Sequence, residues 1–295
     1  MQQNQPGVNR DVGYTADSDG IFVPRAPVHH RDAEYDSEAF DVLHDMQRRH
    51  FWYFGRHRFL LYGLKSELAK VAQGVGELSA VDLGGGCGGW VRYVRDHMPR
   101  AFGELALADS SPRALQLAGP VIGCGIKRYQ IDLLHTGWQN RWDVAFLLDV
   151  LEHIPHDQDV LAEIFRMLRP GGLLFVTTPA LRFFWSHDDE IGHHFRRYSR
   201  ADFQRLAPEA GFEVRSTRYF MFFLSPLLLA RRVKRMNVAR MTSPEIAAYV
   251  ARTHRVPAAP VNVALGAVFA METPLGWWIR FPWGTSVLGI FRKPL

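Results

Sequence analysis

The chain contains little cysteine and little lysine. Its two cysteines, Cys87 and Cys124, are too few for the disulfide framework of a small secreted domain, so we expect a reducing, cytoplasmic environment. Only five of the 35 basic residues are lysine, and 30 acidic residues oppose them. The formal charge of +5 is small and spread along the chain, which argues against a nucleic acid partner.

Long apolar runs are also missing. The longest, at 219–230 and 261–271, are about half of the roughly 20 residues that a membrane-spanning helix needs, so no such helix is predicted. The first 20 residues are polar and carry no apolar core of a secretory signal. We therefore expect residues 1–35 to form a disordered leader.

What is present is enough apolar sequence for a substantial core. Of 295 residues, 47% are hydrophobic, and their spacing changes along the chain. Over residues 36–75 they recur at helical spacing, which predicts an N-terminal cap of two helices broken near Gly55 and Gly63.

Residues 76–221 show a different pattern, in which short apolar runs alternate with helical stretches. The runs end in acidic residues or glycine and read SAVDLGG, ELALADS, KRYQIDL, WDVAFLLDV and GLLFVTT. This alternation predicts βαβ units, and hence an α/β fold with a doubly wound, mainly parallel sheet. Residues 222–283 are predicted to be a helical insertion, and residues 284–295 a final core strand.

The strongest local motif is VDLGGGCGGW at 81–90, a buried strand that leads through glycines into a helix. Glycines there let a ligand approach the backbone and the amides of the helix N-terminus. Gly84, Gly86 and Gly89 fit the dinucleotide pattern G-x-G-x-x-G, and Asp109 follows 20 residues later, where a ribose-binding acid is expected.

A second pattern fits the same segment. Asp82 with Gly84, Gly86 and Gly88 satisfies D-x-G-x-G-x-G, and a carboxylate at that place suits a ligand with an ammonium group. The rest of the chain does not supply the second mononucleotide-binding half that a dinucleotide fold requires. A tight turn without a ligand is a third interpretation.

From His50 to Gly211 the chain resembles class I S-adenosylmethionine (SAM)-dependent methyltransferases of the small-molecule group that includes the ubiquinone-biosynthesis type. The resemblance rests on four motifs in order: the glycine-rich turn, the acids that close the second and third strands, FLLDVLEHI, and RPGG before the fifth strand. It implies a seven-stranded Rossmann-like sheet, SAM as cofactor and S-adenosylhomocysteine as product.

The resemblance also implies the residues that bind SAM. The methionine part is assigned to Asp82, Gly84, Gly86 and Gly88, the ribose to Asp109 and Ser110, and the adenine to Asp132 and Leu133. FLLDVLEHI implies a substrate-facing edge at Asp149, Glu152 and His153, and we group Asp149 with the cofactor residues. HFWYFGR implies that Trp52 covers SAM and that Arg56 pairs with its carboxylate. For each acid, capping of the following helix is the alternative.

Methyl transfer from a sulfonium requires mainly alignment and exclusion of water, and a base only if the acceptor must lose a proton. His153 is the first candidate for that base. The loop SHDDEIGHHFRRYS offers further candidates, His187, His194 and Tyr198, with Arg197 beside them. This loop lacks an H-E-x-x-H pair and a cysteine, so no metal site is predicted.

We therefore expect methyl transfer to O, N or C of a small-molecule or lipid-like metabolite. Cyclisation or elimination by a SAM-binding enzyme of this fold, or an NAD(P)-dependent oxidoreductase, are the alternatives. The insertion carries the basic stretch at Arg231, Arg232, Lys234 and Arg235, and three tryptophans, Trp277, Trp278 and Trp283. It is interpreted as a cap over a bulky acceptor, a homodimer contact, or a peripheral membrane helix.

Overall fold

A computed structural model describes residues 13–28, 39–70, 78–232 and 237–295. These ranges form one nine-stranded sheet with helices on both faces. The strands are β1 Tyr14–Ala16, β2 Ile21–Pro24, β3 Ser79–Leu83, β4 Glu104–Asp109, β5 Lys127–Gln130, β6 Trp142–Leu148, β7 Leu168–Pro179, β8 Glu213–Phe220 and β9 Ser286–Arg292. The helices are α1 Ala39–Arg49, α2 Phe51–Leu68, α3 Gly89–His97, α4 Pro112–Ile122, α5 Asp157–Met167, α6 His187–Ile191, α7 Arg200–Glu209, α8 Ser225–Arg232, α9 Ser243–Thr253 and α10 Ala259–Trp278.

The strand order is β1-β2-β5-β4-β3-β6-β7-β9-β8. Strands β2 to β7 pair in parallel, whereas β1 and β9 run antiparallel to their neighbours. The chain moves outward from β3 to β5 and then returns to β6, so the direction of winding reverses between β3 and β6. A crevice forms at such a reversal, beyond the carboxyl ends of the strands. The predicted doubly wound α/β fold is confirmed.

Two strands were not predicted, and both lie in the segment expected to be a disordered leader. β2 pairs with β5 and β1 pairs with β2, which extends the predicted seven strands to nine. Ile21 is buried against α4 and β4, and the Tyr14 hydroxyl donates to the Thr136 carbonyl at 2.7 Å. The prediction was wrong for residues 13–28 because a few apolar side chains in a polar segment find partners only in the folded sheet. The rest of the leader lies outside the described residues.

The two faces of the sheet have separate hydrophobic cores. Side chains alternate along a strand, so Val81 and Leu83 face α5 and α7, whereas Ala80 faces α2, α3 and α10. By the same alternation Asp82 shares the face of Ala80. A carboxyl group therefore lies on an apolar face directly before the glycine-rich turn.

Helix α2 is continuous through both glycines that were predicted to interrupt it. The break between α1 and α2 falls instead at His50, whose ring accepts from the Trp52 amide at 3.1 Å. A Cβ at Gly55 would lie 2.0 Å from the Phe269 ring, and a Cβ at Gly63 would lie 2.6 Å from the Trp277 ring. The glycines thus let α10 pack closely on α2, and burial of a side chain such as Phe269 stabilises the fold by about 1.5–3 kcal/mol.

The insertion contributes α8, α9 and α10, and α10 lies against α2 with its inner side. Its outer side is apolar and exposed, at Val263 (70% exposed), Met271 (67%) and Trp278 (84%). In the described part of the chain, no helix has both the length and the apolar composition to cross a bilayer. The side chains of Arg231 and Arg232 and residues 233–236 lie outside what is described. A membrane or dimer contact of this segment stays a prediction.

Candidate active site

A cavity of about 480 Å³ lies at the carboxyl ends of the parallel strands. Its wall comes from α1, α2, the segments after β3 to β7, and the segment after α9. Among the residues singled out from the sequence, the lining includes Trp52, Arg56, Gly84, Asp109, Ser110, Asp132, Leu133, Asp149, Glu152, His153, His194 and Arg197. The topology thus brings together residues that are far apart in the chain.

The glycine-rich turn reaches the cavity at Gly84. Its φ of +65° is a left-handed conformation, and a Cβ there would lie 2.6 Å from Val150 Cγ2. The Gly84 amide donates to the Ala108 carbonyl at 2.7 Å, which ties the turn to the end of β4. Any side chain at this position would be strained and would collide with Val150.

Asp109 fixes the shape of the same turn. One carboxylate oxygen accepts from the Gly86 amide at 2.9 Å, and the other accepts from the Ser111 amide at 2.9 Å. The cap of α4 is Ser111, whose hydroxyl accepts from the Ala114 amide at 3.3 Å. Capping therefore does not account for Asp109, which lies in the cavity wall.

Gln47 is a site residue that was not predicted from the sequence. From α1 its side-chain oxygen accepts from the Gly89 amide at 3.0 Å, and its side-chain nitrogen donates to the Gly85 carbonyl at 3.3 Å. Phe40 and Leu43 line the cavity from the same helix. A glutamine on an amphipathic helix carries no sequence signal for this role.

A buried charge cluster lies at the end of the cavity near the turn. The Arg56 guanidinium is 4% exposed, lies 5.0 Å from the ring centres of Trp52 and Tyr53, and donates to the Asp149 carboxylate. Asp82 lies beneath the turn, and among the described residues neither of its carboxylate oxygens has a hydrogen-bond partner. Burial raises the pKa of Asp82 to about 8, although the positive charge of Arg56 opposes this.

Another part of the cavity wall is formed by the segment after β5. One Asp132 carboxylate oxygen accepts from the Leu134 amide at 3.0 Å, and the other lies 3.2 Å from His135 Nδ1. Asp132 is part-exposed, and Leu133 lines the cavity beside it. Asp132 therefore gives this part of the wall a polar edge beside the apolar surface of Leu133.

The cavity wall also carries a group of titratable side chains, Glu152, His153 and His194. Glu152 is 1% exposed, and burial beside the Asp149 carboxylate raises its pKa well above the usual range. The rings of His153 and His194 meet edge to face, 4.6 Å between centres. His194 Nδ1 lies 2.9 Å from a carboxylate oxygen of Asp189, and Asp189 is also held by Arg197. The cavity thus has an acid and histidine wall next to the charge cluster.

Two predicted catalytic residues do not line the cavity. Tyr198 is buried in the core, where its hydroxyl donates to the Asp157 carboxylate at 2.9 Å. His187 Nε2 lies 2.5 Å from the Tyr249 hydroxyl of α9. Neither side chain lies where a base for the acceptor is expected. Both residues follow the carboxyl end of a strand, as predicted, but this position does not determine the direction in which a side chain points.

Three predicted cofactor residues also lie outside the lining. Asp82 is beneath the turn, and the Gly86 amide is held by Asp109. Gly88 caps α3, and a Cβ there would lie 2.5 Å from Ile122 Cγ2. These residues shape and charge the turn from behind the cavity wall.

Helix α9 of the insertion reaches the rim of the cavity. The Tyr249 hydroxyl donates to the Asp188 carboxylate at 2.8 Å, and both Asp188 and His254, just after α9, line the cavity. The insertion therefore contacts the loop after β7, although no sequence motif indicated this.

The family description "Methyltransferase domain" matches residues 44–217. A relative from Mycolicibacterium smegmatis (strain ATCC 700084 / mc(2)155), described as a probable S-adenosylmethionine-dependent methyltransferase, is 36% identical over 77 residues. Those residues are 25% of this chain and only 30% of that relative's length.

Solved structures with the same fold include the [4+2]-cyclase SpnF, with a TM-score of 0.57 and 17% identity over 92% of this chain and 98% of that one. A chain from the complex of the Haloferax volcanii Trm112 methyltransferase activator with a methyltransferase has a TM-score of 0.55 and is 18% identical. The match covers 89% of this chain and 96% of that one. Phosphoethanolamine N-methyltransferase 2 of Haemonchus contortus, in complex with SAM, has a TM-score of 0.54 and is 15% identical. The match covers 93% of this chain and 62% of that one.

The topology agrees with this assignment and disfavours the dinucleotide alternative. A dinucleotide fold repeats a parallel mononucleotide-binding half, whereas here the second half of the sheet ends with the antiparallel β9 between β7 and β8. The family match covers more than half of the chain, and its cofactor is SAM. The chain belongs to the methyltransferase domain family and has the fold of class I SAM-dependent methyltransferases.

Proposed function

We propose that the chain transfers the methyl group of SAM to an oxygen, nitrogen or carbon atom of a small-molecule or lipid-like acceptor. One observation carries this proposal. One cavity is lined both by most of the residues assigned to SAM and by the acid and histidine wall of Glu152, His153 and His194. Its volume of about 480 Å³ is within the range of about 300–1,000 Å³ typical of small-ligand sites.

The residues present fit SAM. Asp82 offers a buried carboxyl group without a hydrogen-bond partner among the described residues, and from behind the turn its charge would favour an ammonium group in the cavity. Arg56, which also holds Asp149, would pair with the methionine carboxylate, Asp109 and Ser110 would hold the ribose, and Asp132 and Leu133 would flank the adenine. SAM supplies an electrophilic methyl group on a sulfonium.

The residues of the chain exclude water, orient the acceptor and hold its proton. Trp52, Tyr53 and Phe184 exclude water from the cavity, and the loop after β7 orients the acceptor. His153 lies in the wall where an acceptor would lie, and its ring nitrogen can hold an acceptor proton. In-line alignment accounts for most of the rate, since a sulfonium donor needs little further activation.

A non-methylating reaction is the second candidate, because the motifs bind the cofactor and do not select the acceptor. SpnF, a [4+2]-cyclase, shares the fold at 17% identity. The products separate the candidates. Transfer yields S-adenosylhomocysteine, elimination or cyclisation of SAM yields methylthioadenosine, and a purely structural use of SAM consumes none.

The test begins with calorimetric titration of SAM, S-adenosylhomocysteine and NADH. We expect the two adenosyl ligands to bind and Asp109→Ala to weaken SAM binding by about 1.5–3 kcal/mol, the scale of lost charge-assisted hydrogen bonds. Asp159→Ala, an exposed acid in the first turn of α5, is the matched control and should bind SAM normally. Mass spectrometry then follows the adenosyl products with a panel of hydroxylated and amine acceptors. Binding of NADH without SAM, or formation of methylthioadenosine, would contradict methyl transfer.

A further inference from the structure

Glu152, His153 and His194 form the one group of potential metal ligands found in the described part of the chain. One ligand atom from each lies within 4.8 Å of the others. Ligands about 2.0–2.2 Å from a shared ion are roughly 3.0–3.5 Å apart, so small side-chain rotations would complete the site. The sequence predicts no metal site because the histidine loop alone lacks a ligand set, and only the fold brings the turn after β6 beside it.

The carboxylate of Glu152 is what points to a ligand here. It is 1% exposed, and neither oxygen has a hydrogen-bond partner among the described residues. A buried carboxyl group without hydrogen bonds must be protonated, be paired or bind a cation, because an isolated charge there is costly. The nearby Arg56 guanidinium is already taken by Asp149, and Arg197 by Asp189.

The ring of His194 is already oriented as a metal ligand would be. Its Nδ1 lies 2.9 Å from Asp189, so in the neutral ring the Nδ1–H donates to that carboxylate and Nε2 keeps its lone pair. Asp189 is fixed in turn by two bonds from Arg197, at 2.7 and 2.9 Å. A carboxylate that holds the second nitrogen of a histidine is the usual outer support of a metal site.

The two segments that carry the ligands are also joined through the backbone. The Phe195 amide donates to the Glu152 carbonyl at 2.8 Å, and Arg196 pairs with Asp157 at 2.8 Å. His194 is thereby held beside Glu152 without any help from an ion. The ligand group is preorganised on two fixed segments.

We propose that Glu152, His153 and His194 bind one divalent first-row transition metal ion in the wall of the cavity. Two imidazoles and one carboxylate suit ions such as Zn²⁺, Fe²⁺ or Co²⁺ better than Mg²⁺ or Ca²⁺, which prefer all-oxygen sites. With the ion bound, His153 serves as a ligand and not as a base, and three protein ligands leave open coordination positions where a hydroxyl or carboxylate oxygen of the acceptor can bind. This role toward the acceptor rests on the proposed methyl transfer, whereas metal binding itself does not.

The experiment titrates Co²⁺ into chelator-treated, tag-free full-length protein, read by calorimetry and by visible absorption, with Zn²⁺ as competitor. We expect one equivalent to bind to the wild type and to His193→Gln, an exposed neighbouring histidine that serves as the matched control. Glu152→Gln and His194→Gln should each weaken Co²⁺ binding at least tenfold. SAM is titrated into every sample, and all of these proteins should still bind it.

The outcomes are separable. Failure of the wild type to bind Co²⁺ while it binds SAM overturns the metal site and leaves the proposed function intact. Failure to bind SAM contradicts the proposed function instead. Co²⁺ binding that survives in the two ligand variants assigns the ion elsewhere and overturns the proposal. If Glu152→Gln does not fold, His194→Gln decides alone, because that ring is partly exposed and its replacement disturbs the core less.

Discussion

Arg56 donates to the carboxylate of Asp149, and this pair joins α2 to the end of β6 across the cavity. Asp149 has a φ of +58°, and its amide donates to the Thr177 carbonyl at 2.8 Å, so the backbone conformation aims its side chain at Arg56. Because Arg56 is almost fully buried, removal of either partner leaves a charge with little solvation. Breaking such a pair costs about 3–5 kcal/mol.

Replacement of Arg56 tests its assignment to the SAM carboxylate. We expect wild-type protein to bind SAM more tightly than decarboxylated SAM, by about 1.5–3 kcal/mol, since a hydrogen bond to a charged group is lost. Arg56→Gln should bind the two ligands about equally. Calorimetry of both ligands with both proteins gives the comparison.

The stability of that variant needs its own control. Arg56→Gln leaves Asp149 unpaired, whereas Arg56→Gln with Asp149→Asn removes both charges. The double variant should recover much of the lost thermal stability and should still bind SAM and decarboxylated SAM about equally. Discrimination retained in either protein would show that another residue binds the SAM carboxylate.

Binding of SAM should release a proton from Asp82. Its pKa of about 8 means that the free protein holds the proton at pH 6.5, whereas an adjacent ammonium favours the ionised form. Titrations at pH 6.5 in two buffers of different ionisation enthalpy measure the protons released. We expect close to one proton released per SAM bound by the wild type, and none for Asp82→Asn. At this pH an α-amino group, with its pKa near 8, stays charged. Equal values for the two proteins would remove Asp82 from the ammonium site.

A methyl group at Gly84 should disturb both the fold and SAM binding. Gly137→Ala is the matched control, since its φ of +70° is similar and nothing lies within 4 Å of the added Cβ. An alanine in the left-handed conformation destabilises the fold by about 1–2 kcal/mol, and this cost applies to both variants. Gly84→Ala should lose about 1–3 kcal/mol more through its collision with Val150. Denaturant unfolding and SAM titration compare them, and equal losses would show that the turn yields to the methyl group.

The Tyr249 hydroxyl should hold α9 against the loop after β7. Its bond to Asp188 contributes about 0.5–1.5 kcal/mol, so Tyr249→Phe should speed amide hydrogen exchange across 243–253 by roughly two- to tenfold. Tyr62→Phe, a half-exposed tyrosine on α2, is the control and should leave that exchange unchanged. Unaltered exchange in Tyr249→Phe would mean that α9 is held by its other contacts.

Several features of the site were readable in the sequence because they depend on neighbours along the chain. The strand, the glycine turn and the helix at 81–97 formed as predicted, and Asp109 followed at the end of the next strand. Gly55 and Gly63 were misread as helix breaks, since local propensity favours that reading and only the packing of Phe269 and Trp277 explains a continuous helix. Gln47 had no local signal at all.

The sequence by itself determined the order of strands and helices, the glycine turn and the acids at the strand ends, because hydrophobic period and backbone freedom are local properties. The tertiary structure alone decided which side chains reach the cavity. It turned Tyr198 into the core, and it placed His194 beside Glu152. Such pairings depend on contacts between segments separated by tens of residues, and local pattern does not encode their direction.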